Sequence, residues 1–277
     1  MLLAIDTSTA RIGLALYDGT SVPGEFSWHS GLHHTQELAP ALAELLRLVD
    51  IKIGAVKAIG VALGPGSFTS LRVGLAFAKG LVLARHIPVI GISTLDIVAA
   101  AVPISGPSTG SLMSALPSRT GVHRIASLMP PVFAYPDGQA RAARTVSRPP
   151  APVASAQAGQ RRRLVAVVQA GRGRLAFGWY SAEENEWQAD GPAMVATADE
   201  LAEKIHKPVI VCGEMSADER QRLGRKFKNV TLASPAQCVR RPGILAELAW
   251  KKWQSGKIDS AAALAPIYLH MSGGLPA

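Results

Sequence analysis

The first hundred residues alternate between short apolar runs and longer segments that are apolar on one side. The apolar runs predict five strands, at residues 2–5, 12–17, 22–28, 58–63 and 88–90. Asp18-Gly19 favours a hairpin turn between the second and third strands. Apolar residues recur at helical spacing from Thr35 to Val49, and a nearly continuous apolar segment runs from Phe68 to Ala84. This half therefore predicts the order strand, strand, strand, helix, strand, helix, strand, with a further helix after a capping box of Ser93 and Asp96.

Patterned sequence resumes at Leu164 and repeats this order in reduced form. The predicted strands are residues 164–168, 175–180, 208–212 and 230–232, with Trp187 in a further strand, and the predicted helices are residues 198–205, 217–225 and 245–253. Two α/β units in tandem, each with a hairpin start and parallel later strands, predict a tandem ribonuclease-H-like fold, the architecture of actin, hexokinase and Hsp70 (ASKHA). We predict an N-terminal domain at residues 1–103, on which the helix near 245–253 can pack, and a smaller C-terminal domain at residues 161–277.

Residues 104–160 differ from both halves. They hold 8 of the 19 prolines, many Ser, Ala and Arg, and no sustained periodicity, which predicts a disordered insertion. Residues 104–163 also carry +7 of the formal net charge of +9. The positive charge therefore belongs to one segment and does not by itself predict a basic nucleic-acid surface.

Composition excludes several classes of protein. The chain has 277 residues, 48% of them hydrophobic and 18% charged, as expected of a globular protein with one large or two modest domains. The longest apolar candidate is interrupted by Lys79, Arg85 and His86, so no membrane span is expected. The start of the sequence lacks the basic region of a signal peptide. Two cysteines without a CxxC pair fit a reducing cytoplasm and argue against a zinc ribbon or a disulfide scaffold.

A glycine-rich turn, Gly64-Pro65-Gly66-Ser67, joins a predicted strand to the start of a predicted helix. Such a turn can direct backbone N–H groups toward a phosphate at the positive end of the helix. The alternative is a tight, well-capped turn, in which Ser67 or Thr69 caps the helix. The spacing leaves both interpretations open.

Several stretches together resemble the TsaB (YeaZ) family, which takes part in tRNA threonylcarbamoyladenosine biosynthesis. They are Leu3–Ser8 (LAIDTS), His34–Pro40 (HTQELAP), Gly64–Gly74 (GPGSFTSLRVG), Ala78–Leu81 (AKGL) and Ile90–Leu95 (IGISTL). The resemblance covers residues 1–103 well and is weaker over 164–270, where Val168–Arg172 and Pro266–Leu269 look like family landmarks. Family members are shorter, and residues 104–160 account for the excess.

The resemblance implies a non-catalytic subunit that binds and activates a TsaD-like catalytic subunit. With a TsaE-like ATPase, the complex modifies the adenosine next to the anticodon. Contact with tRNA is expected to be indirect, and a homodimer is expected when the partner is missing. The resemblance implies no cofactor of the chain's own, although ATP or ADP at the heterodimer interface is allowed. The expected location is the cytoplasm, without membrane attachment.

Comparison with TsaD, the catalytic paralogue, implies that the catalytic site is lost. TsaD carries an HxxxH pair of metal ligands where this chain has Thr94 and Val98, and alignment places Arg240 at its aspartate ligand. An arginine there would repel a cation. The Gly-Gly-rich phosphate loop of the second TsaD domain is reduced here to Gly213. We therefore expect no catalytic residues and no metal site.

The candidate binding residues fall into two groups. The phosphate-binding candidates are Asp6, Thr7, Gly64, Gly66 and Ser67. The resemblance implies that the helices at 35–49 and 68–84 form the partner interface, with Leu38, Leu42, Leu71, Arg72, Gly74, Leu75 and Ala78 as candidates. His29 and His33 could hold a metal if they lay on a helix, but a loop is favoured because Gly31 lies between them.

Three other functions compete with the subunit hypothesis. A nucleotide-binding kinase or ATPase of the same superfamily would use Asp6 and the glycine turn. A metallopeptidase would need the missing HxxxH pair. A tRNA-binding adaptor would act through residues 104–163, where Phe133 and Tyr135 are the only aromatic platform.

Overall fold

The computed structural model describes residues 1–31, 33–104, 162–226 and 228–269. Apart from Ile104, the predicted insertion at residues 104–160 lies outside these residues. The other described residues belong to one unit that contains two β-sheets. The division into an N-terminal domain at 1–103 and a C-terminal domain at 161–277 stays a prediction.

The first sheet contains the five strands predicted in the N-terminal half. They are β1 (Leu2–Asp6), β2 (Arg11–Tyr17), β3 (Gly24–His29), β4 (Ala58–Ala62) and β5 (Val89–Ile92). The order across the sheet is β3-β2-β1-β4-β5. The first three strands are antiparallel, whereas β4 and β5 continue parallel to β1. The predicted hairpin start and parallel continuation are confirmed.

The second sheet repeats this plan. Its strands are β6 (Arg163–Gly171), β7 (Arg174–Glu183), β8 (Glu186–Ala189), β9 (Met194–Ala196), β10 (Val209–Gly213) and β11 (Val230–Leu232). The order is β11-β10-β6-β7-β8, and β9 also pairs with β7. Strand β6 pairs antiparallel with β7 and parallel with β10, as β1 does with β2 and β4. Two sheets of like topology confirm the predicted tandem α/β fold.

Six α-helices cover the sheets in the part of the chain that the structure describes. They are α1 (His34–Leu48), α2 (Phe68–Arg85), α3 (Thr94–Ala100), α4 (Ala198–Lys204), α5 (Ala217–Gly224) and α6 (Pro242–Gln254). Side chains alternate across β1, so Leu3 and Ile5 share a core with α1 and α2, while Leu2 and Ala4 share one with α6. Although α6 comes late in the chain, it packs on the first sheet.

Helix α3 connects the first sheet to the second. It follows β5 directly, and its Leu95 and Val98 pack in a core with Leu164 and Ala166 of β6. The hydroxyl of Tyr180 in β7 donates a hydrogen bond of 2.7 Å to the Asp96 carboxylate. This bond corrects the predicted capping box, because Asp96 is turned toward β7 and the Ser93 side chain makes no capping hydrogen bond.

The capping boxes that do occur lie in the second half. Thr197 with Glu200 caps α4, and Ser216 with Glu219 caps α5. Both fit the sequence pattern of Ser or Thr followed three residues later by Glu, so the signal was present in the sequence and was missed. Within the described residues, no helix has both the length and the apolar character needed to cross a bilayer.

Candidate functional site

The carboxyl ends of β1, β4 and β5 bring three polar segments together. These are Asp6–Ala10 after β1, Gly64–Ser67 after β4, and Thr94 at the start of α3. Thr94 joins them, because its Oγ1 lies 2.7 Å from Ser8 Oγ and accepts a hydrogen bond of 3.1 Å from Gly64 N–H. The phosphate-binding candidates therefore lie close together.

The glycine turn packs against the chain's own backbone. Ser67 N–H donates a hydrogen bond of 2.7 Å to the Ser8 carbonyl, and a Cβ atom at Gly66 would overlap that carbonyl. Ser67 also caps α2, since its Oγ accepts from Ser70 N–H. Gly66 is thus needed for close approach to Ser8, and the capped-turn interpretation accounts for these contacts. Phosphate binding at this turn stays a prediction.

Thr7 connects the loop after β1 to α2. Its hydroxyl donates a hydrogen bond of 2.8 Å to the Ser70 carbonyl. A Cβ atom at Gly74 would overlap Thr7 Oγ1, so a residue with a side chain does not fit there without displacing Thr7. Gly74, a candidate for the partner interface, instead allows α2 to pack on the loop after β1.

Substitution of Gly74 by alanine should therefore destabilise the protein although it improves helix propensity. We expect a loss of about 1–3 kcal/mol in the free energy of unfolding, because the added methyl group overpacks a filled contact. The matched control is Gly80→Ala on the same helix, where nothing lies within 4 Å of the new Cβ. That variant should gain up to about 1 kcal/mol. Urea unfolding checks both values, and equal stabilities would contradict the contact with Thr7.

Asp6 is held from both sides of its carboxylate. Its Oδ1 accepts a hydrogen bond of 2.9 Å from Ser8 N–H, and its Oδ2 accepts one of 2.9 Å from Arg240 Nε. The Asp6 side chain is 4% exposed and that of Arg240 is 1% exposed. In place of open carboxylate oxygens, the end of β1 presents a buried ion pair.

Arg240 makes further contacts that cross between the two sheets. Its Nη1 lies 2.6 Å from Glu214 Oε1, and its Nη2 donates a hydrogen bond of 2.9 Å to Thr9 Oγ1. Thr9 Oγ1 in turn donates to Glu214 Oε1 over 3.1 Å. We call Asp6, Thr9, Glu214 and Arg240 the Arg240 cluster.

The electrostatics of the cluster keep Arg240 charged. Burial opposes the charge, but the carboxylates of Asp6 and Glu214 outweigh it and raise the pKa of Arg240 above its ordinary value. A guanidinium group lies where a first-strand carboxylate would face a cation. A metal ion at this position would be repelled by the guanidinium group, and the absence of a metal site stays a prediction.

Gly213 places Glu214 in the cluster. It ends β10 with φ of 127°, and a Cβ atom there would overlap the Val167 carbonyl. Glu214 N–H then donates a hydrogen bond of 3.1 Å to that carbonyl. The close approach of β10 to β6 explains the glycine without a phosphate.

The remaining metal candidates do not form a ligand set. Thr94 and Val98 are buried in α3, where Thr94 bonds the glycine turn and Val98 packs on the second sheet. His29 ends β3 and His33 precedes α1, so the two exposed side chains do not share a helix. In the described ranges, no group of three or more His, Cys, Asp and Glu side chains is placed to hold a metal ion.

A second surface lies between α1 and α2. This α1–α2 groove has a volume of about 480 Å³ and is lined by His34, Thr35, Leu38, Phe68, Thr69, Arg72, Val73, Ala76 and Phe77. Phe68 is 52% exposed, which is unusual for a large apolar side chain. His34 is buried, and its Nε2 lies 3.0 Å from the Thr9 carbonyl. The sequence reasoning missed His34, which connects the groove to the loop after β1.

Arg72 is fixed at the edge of the groove. Its guanidinium carbon lies 3.7 Å from the centroid of the Phe68 ring, and its Nε donates a hydrogen bond of 3.0 Å to Tyr268 Oη. Tyr268 packs on Phe68 with ring centroids 4.9 Å apart. The landmark Pro266–Leu269 thus lies beside the glycine turn, where Ile267 N–H bonds the Leu63 carbonyl.

The structure shows how far each residue proposed for the partner interface is exposed in this chain, and the interface itself stays a prediction. All except Arg72 are buried in this chain, namely Leu38, Leu42, Leu71, Gly74, Leu75 and Ala78. They lie on the faces of α1 and α2 that pack on the chain's own sheet and loops, and of these residues only Leu38 also reaches the groove. The accessible residues of α2 that line the groove are Phe68, Thr69, Arg72 and Ala76, which lie on its other side.

Comparison with known proteins connects this geometry to a family. The family model described as TsaD, tRNA N6-adenosine threonylcarbamoyltransferase, matches residues 29–119, about a third of the chain. The chain is 36% identical to the tRNA threonylcarbamoyladenosine biosynthesis protein TsaB of Escherichia coli over 94 residues, which cover 34% of this chain and 40% of the relative. It is also 36% identical to TsaB of Bacillus subtilis over 99 residues, covering 36% of this chain and 43% of that protein.

A solved structure matches a longer part of the chain than these sequence relatives do. YeaZ from Pseudomonas aeruginosa matches with a TM-score of 0.62 and 20% sequence identity, covering 97% of this chain and 99% of that one. Together these findings support the TsaB/YeaZ family. The resemblance inferred from the sequence motifs is confirmed, and the YeaZ structure supports the ASKHA-type fold. The sequence matches span only about two fifths of the length of these TsaB relatives.

Proposed function

We propose that this chain is a non-catalytic subunit of a tRNA threonylcarbamoyladenosine-forming complex, which binds and activates a TsaD-like catalytic subunit. The names of the relatives support a part in this pathway. The observation that carries the non-catalytic role is the Arg240 cluster, in which a buried arginine pairs with the carboxylate at the end of β1.

The Arg240 cluster argues against phosphoryl transfer at the end of β1. A kinase or ATPase of this architecture needs a carboxylate that can face a nucleotide-bound cation. Here Asp6 faces the Arg240 guanidinium, and a buried ion pair is costly to break because it leaves an unpaired charge. A nucleotide, if the complex contains one, is proposed to lie at the heterodimer interface as ATP or ADP.

The α1–α2 groove supports the binding role. It combines exposed apolar and aromatic surface with one fixed arginine, the composition that favours protein interfaces. A TsaD-like subunit is the proposed occupant, as the resemblance to the TsaB family implies. A second copy of the chain would use the same surface when the catalytic subunit is missing, giving a homodimer.

The remaining partners follow from this assignment. A TsaE-like ATPase is proposed to join the complex, and tRNA to be contacted mainly through the catalytic subunit. The complex would work in the cytoplasm.

Light scattering after size exclusion tests the binding role. The chain alone should elute with the mass of a homodimer, and addition of the TsaD-like protein should replace this species by a one-to-one heterodimer. A chain that stays unchanged in the presence of equimolar TsaD-like protein would contradict the proposal.

A further inference from the structure

The two cysteines of the chain face each other across a short gap. Cys212 lies near the end of β10, and Cys238 lies in the turn that leads to α6. Their Sγ atoms are 4.0 Å apart. Cys212 is fully buried and Cys238 is 9% exposed, so Cys238 is the more accessible residue of the two.

A cation lies next to the more exposed thiol. Arg220 Nη1 is 3.5 Å from Cys238 Sγ, and Arg220 Nη2 is held by a hydrogen bond of 2.8 Å to the Ala233 carbonyl. The Cys212 thiol faces both the Gln237 carbonyl, at 3.4 Å, and Cys238 Sγ, at 4.0 Å. The hydrogen bond from Cys212, together with Arg220, lowers the pKa of Cys238 below its ordinary value. The same interaction raises the pKa of Cys212 above its ordinary value. Cys238 is therefore the nucleophile of the pair and Cys212 the proton donor.

The pair is adjacent in sequence to the Arg240 cluster. Cys212 precedes Glu214 by two residues, and Cys238 precedes Arg240 by two residues. The segment with Cys238 already bonds β10, because Ala233 N–H donates to the Val211 carbonyl over 2.9 Å. A covalent bond between the sulfurs would link the two segments that bring Glu214 and Arg240 together.

We propose that Cys212 and Cys238 form an oxidation site, at which a peroxide converts the two thiols into an intramolecular disulfide. The disulfide fastens the segment that carries Arg240 to β10. For the bond to form, the Sγ–Sγ distance of 4.0 Å must shorten to about 2.05 Å.

The chemistry proceeds in two balanced steps. The Cys238 thiolate attacks one peroxide oxygen, the O–O bond breaks, and a sulfenic acid forms as the other oxygen leaves as hydroxide. The Cys212 sulfur then attacks the sulfenic sulfur, so the S–S bond forms and the S–O bond breaks. The departing hydroxide takes the Cys212 proton and leaves as water. The hydroxide of the first step takes up the proton that Cys238 released when its thiolate formed. Two sulfur atoms are thus oxidised by one electron each, and one peroxide is reduced to two waters.

Hydrogen peroxide treatment of the reduced full-length chain tests the proposal. Because the sequence has only two cysteines, the number of free thiols after denaturation directly measures how far this pair is oxidised. Both thiols should disappear together, no disulfide should join one chain to another, and peptide mapping should recover the two cysteines in one linked peptide that dithiothreitol separates. In the Cys212→Ser variant, oxidation of Cys238 should stop at the sulfenic acid, which can be trapped with dimedone.

The role of Arg220 provides a second readout. The oxidation rate should rise with pH through the pKa of Cys238, which lies below the ordinary value of a thiol. Arg220→Gln should raise this pKa. Below the pKa, the reaction should then slow by up to about tenfold for each unit of the rise, because the thiolate fraction falls by that factor. The control Arg225→Gln removes an exposed arginine close by and should leave the rate unchanged.

Three results would overturn the proposal. They are loss of only one thiol, disulfide links between chains in place of the internal link, or a rate that does not distinguish Arg220→Gln from Arg225→Gln.

Discussion

Replacement of Arg240 by methionine should lower the free energy of unfolding by about 3–5 kcal/mol at pH 7. The substitution removes the only cation that the Asp6 carboxylate contacts in the described residues, and it leaves Glu214 without its cationic partner. Both losses occur in a region where the arginine side chain is 1% exposed, so water cannot replace the lost contacts without rearrangement. Urea unfolding of the purified variant measures the change.

The neighbouring arginine provides a matched control. Arg241 also pairs with a carboxylate, that of Glu25, at 2.7 Å, but its side chain is 65% exposed. Arg241→Met should therefore cost no more than about 1 kcal/mol. If Arg240→Met and Arg241→Met lowered the free energy of unfolding equally, the Arg240 cluster would not stabilise the fold as a buried ion pair.

Neutralising the Asp6 carboxylate, which loses its cation in Arg240→Met, should recover part of the lost stability. In Arg240→Met/Asp6→Asn, one buried carboxylate becomes a neutral amide, so the double variant should be more stable than Arg240→Met alone. Additive losses in the two single variants would contradict a direct interaction between Asp6 and Arg240.

Substitution of Phe68 by aspartate should weaken binding of the TsaD-like partner by about 100-fold or more. The substitution places a charge in the α1–α2 groove, where an aromatic side chain is 52% exposed and stacked under Arg72. Because Phe68 lies on the surface, folding should be little affected. Isothermal titration of the partner into each variant measures the affinity, and circular dichroism checks the fold.

An exposed apolar residue outside the groove provides the comparison. Ile258 is 59% exposed and does not line the groove. Ile258→Asp should keep the affinity within about threefold, since isolated surface apolar residues contribute little. Equal effects of the two aspartate substitutions would mean that the groove is not the binding surface.

The hydrophobic pattern predicted most of the fold because the strands are short, buried and regularly spaced. The five strands of the first sheet and the helices α1 and α2 occur within a few residues of their predicted positions. The short edge strand β9 (Met194–Ala196) was not predicted, because a three-residue strand has too few positions to show alternation. The capping box at Ser93 was wrong because the Asp96 carboxylate bonds Tyr180, a residue 84 positions away in the sequence.

The site was predicted in outline and completed only by the structure. Motif comparison placed Arg240 at the position of a lost metal ligand, but its partners Thr9 and Glu214 come from distant parts of the chain. Local sequence contains no signal for such contacts. The burial of most interface candidates could not be inferred from the sequence for a different reason. Helix α2 is apolar on nearly every side, so the sequence could not tell which side packs on the chain's own sheet and which side is accessible.

The most direct test of the central claim is a titration of this chain into fixed amounts of TsaD-like and TsaE-like proteins with tRNA, threonine, bicarbonate and ATP. The measured quantity is the amount of threonylcarbamoyladenosine formed in the tRNA. We predict a yield that rises with the chain and saturates at one chain per TsaD-like subunit, with Phe68→Asp shifting the curve to higher concentration. Equal yield in the absence of the chain would contradict the account.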